Sequence, residues 1–223
     1  MGKAKWIAGG AIALIAAGAV AFGVAYGKQI ATASSLERVT SYEDGYNLYR
    51  VDVAYSYDLD AIIDADMHDD QAYIDAVLAQ VLPGVPIEVK APKFACSAFR
   101  TKTIDGDVLM GRNYDFKDDT SALLVHTDPA DGYESICFSA LNNLRANSPD
   151  SSIKGRIASL LGPFAALDGI NEKGVSIAVL TLDSEATDQR TGRRAINTSL
   201  AIRLVLDRAA TTQQAVDLLE CHD

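Results

Sequence analysis

The sequence predicts an α+β fold, because strand-like segments come first and helix-like segments come last in the region that begins at Cys96. Six short apolar or alternating segments in this region are predicted to be strands, and they are residues 96–104, 107–116, 121–127, 134–141, 163–170 and 175–182. Two later segments, 198–208 and 213–220, carry apolar residues at helical spacing and follow Asn or Thr residues that can cap a helix. Short turns join the paired strands, so we expect mostly antiparallel pairing.

The first two of these strands form a predicted hairpin around Asp105-Gly106, a strong signal for a two-residue turn. In the simplest register for such a turn, Cys96 lies directly opposite Asp115. Paired side chains share a face, so we expect Asp115 to reach the backbone amine of residue 96. Arg112 falls on the opposite face in this register and can approach the sulfur only if the strand bulges or ends early.

The N-terminal segment, residues 1–28, is predicted to be a membrane anchor or a signal sequence. Lys3 and Lys5 precede an uncharged run, Trp6–Gly27, whose 22 residues would span roughly 33 Å as a helix. An anchor with its N-terminus inside is favoured over a signal peptide cut after Ala31-Thr32-Ala33, because the apolar run is longer than that of most signal sequences. Either alternative predicts export, to the outer side of the cell membrane or, for the signal peptide, as a secreted protein.

Residues 29–95 are predicted to be a linker followed by an acidic pre-segment. Nine acidic residues and one basic residue lie between positions 41 and 70. An alternating stretch at 49–55 predicts a strand, and Asp69 or Asp70 can cap a helix over residues 71–82. The acidic cluster lacks the loop pattern of an EF-hand, so a solvated surface is a better interpretation than a calcium site.

Charge and metal-ligand spacing narrow the function classes. The chain has 30 acidic and 20 basic residues and a net charge of −10, which argues against nucleic acid as a partner. The three cysteines and three histidines show no metal-ligand spacing, so no metal and no other cofactor is predicted. The sequence leaves room for a homo-oligomer without requiring one.

Cys96 is the candidate nucleophile. A thiol with a pKa of about 8.5 is mostly protonated at neutral pH and needs activation. If Cys96 were the first residue of a processed chain, its free α-amine would be a base one residue away, and a nearby Arg112 would favour the thiolate. The competing interpretation is that Cys96 is a small buried apolar residue and that Arg112 and Asp115 form a surface ion pair.

Two motifs decide between these interpretations. Cys96 is followed at the appropriate spacing by Gly111-Arg112-Asn113-Tyr114-Asp115, and a second motif is Asp168-Gly169-Ile170-Asn171-Glu172-Lys173-Gly174. Together they resemble the N-terminal-nucleophile (Ntn) amidases of the choloylglycine hydrolase and penicillin V acylase family, the linear amide C–N hydrolases, and also the acid ceramidase group. The resemblance covers roughly residues 96–182. It implies an αββα sandwich, of which residues 96–223 would be the N-terminal part.

The resemblance also implies roles for individual residues. Cys96 would be the nucleophile and its freed amine the base, Arg112 would tune the thiolate, and Asp115 would hold the amine. Thr181 stands where the family often has an Asn that stabilises the oxyanion. Maturation would cut the Ala95–Cys96 bond and release the enzyme from its anchor. The resemblance also implies a later Asn and Arg in the site, and these are expected beyond Asp223.

The predicted activity is therefore hydrolysis of the linear amide bond of a small N-acyl substrate through a thioester at Cys96. Bile-salt conjugates, phenoxyacyl penicillins, N-acyl amino acids and N-acyl lactones all fit this chemistry. Two alternatives stay open: an acyltransferase on the same scaffold, and a non-catalytic, membrane-tethered binding module. A papain-like protease is disfavoured, because Cys96-Ser97-Ala98-Phe99 does not match its cysteine motif.

Overall fold

The computed structural model describes residues 23–65, 69–85, 96–115, 118–181 and 191–223. Most of the predicted membrane segment, and Ala95 of the predicted processing site, lie outside these residues. Within the described ranges, no helix is both long enough and apolar enough to cross a membrane. The anchor therefore stays a prediction.

The chain forms six helices and eight strands within the described ranges. The helices are α1 (23–35), α2 (Leu59–Ile63), α3 (Asp70–Val81), α4 (Ile153–Ser159), α5 (Thr198–Arg208) and α6 (Thr212–Glu220). The strands are β1 (Glu37–Arg38), β2 (Leu48–Asp52), β3 (Cys96–Lys102), β4 (Val108–Tyr114), β5 (Ala122–Thr127), β6 (Ser135–Ala140), β7 (Ala166–Asn171) and β8 (Ser176–Ala178). The predicted α+β class is confirmed.

Six of the strands form one sheet with the order β1-β2-β5-β6-β7-β8, and β3 and β4 form a separate two-stranded hairpin. All pairs are antiparallel except β2–β5, which is parallel over five residue pairs. Helix α5 packs against β7, and α6 packs against α5. The described residues thus contain one large sheet, and the expected second layer of an αββα sandwich stays a prediction.

The acidic pre-segment is built into the same sheet and core as the region after Cys96. Its strand β2 lies between β1 and β5. Four of its tyrosines donate hydrogen bonds across the junction: Tyr49 to Asp150, Tyr55 to the Leu160 carbonyl, Tyr57 to Asp207, and Tyr73 to the Phe164 carbonyl. All four side chains are buried within one apolar cluster that spans both regions. The boundary at residue 95 is therefore not a boundary between two separate cores.

The predicted helix starts are confirmed in three places by capping side chains. Asp69 accepts a hydrogen bond from the Ala72 amide at the start of α3. Asn197 and Thr211 cap α5 and α6 in the same way. The predicted turn after β7 is also confirmed, with Gly174 at a φ of 79°, a conformation that glycine adopts without steric cost.

Two predictions for the region from 134 to 170 are wrong. No helix was predicted between the strands at 134–141 and 163–170, but helix α4 begins at Ile153, and Ser152 caps it by accepting a hydrogen bond from the Gly155 amide. The seven-residue helix is too short to show a clear apolar period, and it contains a glycine. The strand expected from residue 163 begins only at Ala166, because Gly162–Ala165 forms a single 3₁₀ turn.

A buried ion pair joins helix α5 to the pre-segment and the sheet. Arg203 donates to Asp207 and to the Ser135 hydroxyl, and Tyr57 donates to the other oxygen of Asp207 at 2.9 Å. Burial raises the pKa of Asp207, although the charge of Arg203 opposes the shift. Burial alone would lower the pKa of Arg203, but Tyr57, Asp207 and Cys137 raise it, so Arg203 stays charged.

Candidate active site

The β3–β4 hairpin has a different register from the one expected. Cys96 pairs with Tyr114, and Ala98 pairs with Arg112. The predicted pairing of Cys96 with Asp115 is therefore wrong by one residue. The cause is a loop that is one residue longer than expected: the Thr103 amide donates to the Asp107 carbonyl, which leaves three residues between them.

Gly106 makes the longer loop feasible. Its φ of 94° provides the left-handed residue that closes a three-residue hairpin loop. Ile104, expected to pair across the turn, instead lies in the loop and is fully exposed. Because side chains alternate between faces, a one-residue change moves every side chain of one strand to the other face relative to its partner.

This register places Arg112 beside Cys96 without a bulge. The Nη2 atom of Arg112 lies 2.8 Å from the Cys96 sulfur. The guanidinium also lies over the Tyr114 ring, 5.4 Å from its centroid. Cys96 is half-buried, and the Arg112 side chain is 8% exposed. A cation this close to the sulfur, and partly shielded from water, favours the thiolate.

Asp115 has partners on the other face of the hairpin. Ser97 donates to one of its carboxylate oxygens at 3.1 Å, and the Asn113 amide donates to the other. Ser97 and Asn113 pair with each other, one position along from the Cys96–Tyr114 pair. The predicted role of Asp115, to hold the freed amine of Cys96, stays a prediction.

Thr181 lies three residues beyond the end of β8 and is exposed. Its predicted role as an oxyanion donor also stays a prediction. The region between residues 181 and 191, which follows it in sequence, is outside the described residues.

Asp168 is a site residue that sequence reasoning missed. Its carboxylate lies 3.2 Å from Nη1 of Arg112, and both side chains are 8% exposed. Burial raises the pKa of Asp168, while the charge of Arg112 and a backbone hydrogen bond from Phe138 oppose the shift. The signal was its place at the head of the second motif, which we used only as part of the family resemblance.

The structure explains the other polar and glycine positions of this motif. A Cβ on Gly169 would lie 2.6 Å from the Ile136 carbonyl oxygen, so a side chain has no room between β6 and β7. Asn171 donates to two carbonyls at the end of α5, those of Leu206 and Ala209, and its own oxygen accepts two turn amides. The motif therefore fixes β7 against its neighbours and presents Asp168 at a rigid position.

A cavity of about 330 Å³ lies next to the Arg112–Asp168 pair. The hairpin contributes Tyr114 to its wall, and the main sheet contributes Phe138, Ser139 and Leu167. A larger apolar cavity of about 620 Å³ lies elsewhere, between α1, the end of α3 and α4, and no predicted site residue lines it. The smaller cavity combines an apolar wall with the Arg112–Asp168 pair, and Arg112 also contacts the Cys96 sulfur. An apolar wall with a few charged groups suits a small acyl substrate.

No group of three or more metal-binding side chains was found in the part of the chain that the structure describes. A thiol, an adjacent cation and a cavity match the first requirements of nucleophilic catalysis.

Comparison with protein-family models gave a match over residues 96–222 to the linear amide C–N hydrolases, choloylglycine hydrolase family. Comparison with curated proteins and with solved structures gave no match. The matched region begins at Cys96 and includes Arg112, Asp115, Asp168 and Thr181. Because it covers more than half of the 223 residues, this protein belongs to the choloylglycine hydrolase family of linear amide C–N hydrolases.

Proposed function

We propose that this protein hydrolyses the amide bond of a small N-acyl substrate with Cys96 as the nucleophile. The observation that carries the proposal is the 2.8 Å contact between Arg112 Nη2 and the Cys96 sulfur. A guanidinium cannot lose its proton at physiological pH, so it offers the sulfur a permanent positive charge. Family membership supports the class of bond that is cleaved.

The reaction needs Cys96 to be the first residue of the chain. Cleavage of the Ala95–Cys96 bond would turn an uncharged peptide nitrogen into an amine with a pKa of about 7.7–8.0, which can accept the thiol proton. Asp115 accepts a hydrogen bond from the Ser97 side chain at the start of β3, which supports a role in holding the resulting ammonium. This is the role that we propose for it.

The chemistry then proceeds in two steps. The sulfur attacks the amide carbonyl carbon, a C–S bond forms, the C–N bond breaks, and the amine leaves with the proton that the α-amine took from the thiol. Water next attacks the thioester, which gives the free acid and restores the thiol. We propose Thr181 as a hydroxyl donor to the negatively charged oxygen that develops in both steps.

Intact-mass measurement and N-terminal sequencing of the full chain test maturation. We expect a species that begins at Cys96 and is absent from the Cys96→Ala variant. Cys221→Ala is the matched control, because Cys221 is the exposed cysteine outside the site. Cleavage of Cys96→Ala at the same bond would show that another protease performs the cut.

Incubation with a short panel of N-acyl amides tests turnover. We expect release of the amine and a thioester adduct on Cys96, detected as a mass increase equal to the acyl group. Release of an N-acylated product instead of free acid, when a second amine is added, would identify a transferase. Absence of any adduct with the whole panel on correctly processed protein would favour a binding module.

We also propose that the protein acts on the outer side of the cell membrane. The support is the uncharged run Trp6–Gly27 preceded by Lys3 and Lys5. Fractionation should recover the full chain with membranes, and a membrane-impermeant thiol reagent added to intact cells should label the exposed Cys221. Recovery in the growth medium would indicate secretion after signal removal. Labelling of Cys221 only after the cells are lysed would contradict export.

A further inference from the structure

The guanidinium of Arg112 is shared between the hairpin and the main sheet. Its Nη2 atom faces the Cys96 sulfur at 2.8 Å, and its Nη1 atom faces the Asp168 carboxylate at 3.2 Å. Its Nε atom is buried and has no hydrogen-bond partner among the described residues. The orientation of the guanidinium therefore depends on these two Nη contacts and on the Tyr114 ring beneath it.

Of these contacts, the one with Asp168 comes from the main sheet. Asp168 lies in β7, which is bonded on both sides by β6 and β8. The next residue, Gly169, has no space for a side chain. By contrast, most side chains of the β3–β4 hairpin are exposed, and within the described ranges the hairpin pairs with no strand of the main sheet. The ion pair with Asp168 thus ties the Arg112 side chain of the hairpin to the main sheet.

We propose that Asp168 is a positioning residue, which holds the Arg112 guanidinium so that Nη2 faces the Cys96 sulfur and thereby sets the fraction of Cys96 present as thiolate. The proposal rests on the proposed function in taking Cys96 as the nucleophile. Its test measures the Cys96 thiol directly and needs no substrate. The positioning role of Asp168 can therefore be contradicted while amide hydrolysis is observed, and it can be supported while no hydrolysis is observed.

Asp168 could affect the thiolate fraction of Cys96 by its negative charge or by holding Arg112 in place, and the two effects have opposite signs. In the part of the chain that the structure describes, the charged and titratable groups that face the sulfur and the guanidinium are Arg112 and Tyr114 from the hairpin and Asp168 from the sheet. Asp115 instead contacts Ser97 and Asn113. If Asp168 acted only as a nearby negative charge, its removal would favour the thiolate. If it holds Arg112 in place, moving its carboxylate would disfavour the thiolate.

Two conservative variants separate these effects. Asp168→Asn removes the charge but keeps an oxygen that can accept a hydrogen bond from Nη1. Asp168→Glu keeps the charge but moves the carboxylate by one methylene, so the guanidinium must shift. Both variants leave Arg112 with a partner, which limits the cost of a buried unpaired charge.

The experiment is alkylation of Cys96 by iodoacetamide as a function of pH, followed by mass spectrometry of the full chain in a Cys221→Ser background. Processed and unprocessed chains differ in mass and are followed separately. Protection of the buried Cys137 from alkylation reports that each variant is folded.

We expect the midpoint of the alkylation curve to rise by about one pH unit in Asp168→Glu, which is about a tenfold lower rate at pH 7. In Asp168→Asn the midpoint should stay at or below that of the parent protein. An unchanged midpoint in Asp168→Glu would overturn the proposal. A rise in Asp168→Asn as large as that in Asp168→Glu would also overturn it, because it would show that any change at position 168 disturbs the thiol.

Discussion

Cutting the chain just before Cys96 should leave the two pieces bound to each other. The sequence alone led us to expect that cleavage releases the catalytic part from its anchor. The structure leads to the opposite expectation, because β2 of the pre-segment lies inside the sheet and pairs with β5 over five positions. The pieces share the apolar core as well as the sheet.

The buried tyrosines set the magnitude of this association. Four pre-segment tyrosines, Tyr49, Tyr55, Tyr57 and Tyr73, are buried and donate to residues after Cys96. At about 1.5–3 kcal/mol for each large side chain, they contribute on the order of 6–12 kcal/mol. Nine buried aliphatic side chains of the same segment, Val51, Leu59 and Ile62 among them, contribute on the order of 14–27 kcal/mol more. Association costs about 4–15 kcal/mol, and mid-range values of these contributions exceed that cost by more than the roughly 8 kcal/mol that corresponds to a Kd of about 1 μM. We therefore expect a Kd below about 1 μM.

The assay does not depend on self-processing. A recognition sequence for a site-specific protease is inserted within residues 86–95, the protein is cut, and size-exclusion chromatography is run at about 1 μM. The pieces should elute together and separate only in denaturant. Tyr57→Ala should weaken the association at least a hundredfold, because loss of a large buried aromatic side chain costs about 3–5 kcal/mol. Tyr42→Ala is the matched control, since Tyr42 is 59% exposed.

Two results would refute this reasoning. One is separate elution of two folded pieces at about 1 μM without denaturant. The other is an equal loss of affinity in Tyr42→Ala and Tyr57→Ala, because an exposed and a buried tyrosine should not matter equally.

Three further outcomes follow from buried groups. Gly169→Ala should lower the free energy of unfolding by about 1–3 kcal/mol in urea titration, because the new methyl group would overlap a β6 carbonyl oxygen. Asp207→Leu should lower it by about 3–5 kcal/mol by leaving Arg203 charged and unpaired, and the double variant that also carries Arg203→Met should recover much of the loss. In the native protein at pH 8, iodoacetamide should label Cys221 but not Cys137, because burial raises the pKa of Cys137 to about 12; labelling of Cys137 as fast as Cys221 would contradict its burial.

Local signals in the sequence were sufficient for helix starts and for one turn. Asn197 and Thr211 cap their helices because a short polar side chain can reach the amide three residues ahead. Gly174 closes the turn after β7 because it adopts a positive φ without steric cost. Each of these predictions involves residues within a few positions of one another, so the chain outside the segment does not affect the result.

The hairpin register shows how a local signal can mislead. Asp-Gly fits the last two positions of a three-residue loop as well as a two-residue turn, and the choice depends on whether Ile104 pairs or lies in the loop. In the structure Ile104 lies in the loop. This single residue reverses which side chain, Arg112 or Asp115, shares a face with Cys96.

Contacts between residues that are distant in sequence could not be predicted from local sequence patterns. The parallel pairing of β2 with β5 joins residues 48–52 to residues 122–126, and the alternation within β2 predicts a strand but not its neighbour. The Arg112–Asp168 ion pair is a contact of the same kind. Each of these residues lies in a motif recognisable from the sequence, yet neither motif indicates that the two meet.

The Arg112–Asp168 ion pair explains in physical terms why the two motifs occur together. The first motif supplies a thiol and a cation on a hairpin that has few buried side chains of its own. The second motif supplies a strand so closely packed that only glycine fits after Asp168, and this strand holds the cation from the other side. A long arginine side chain costs up to about 2 kcal/mol in lost rotamer freedom when it is fixed, and the buried carboxylate offsets that cost before any substrate arrives. The chemistry therefore depends on the sheet as much as on the hairpin, because without Asp168 nothing in β7 would hold the cation against the sulfur.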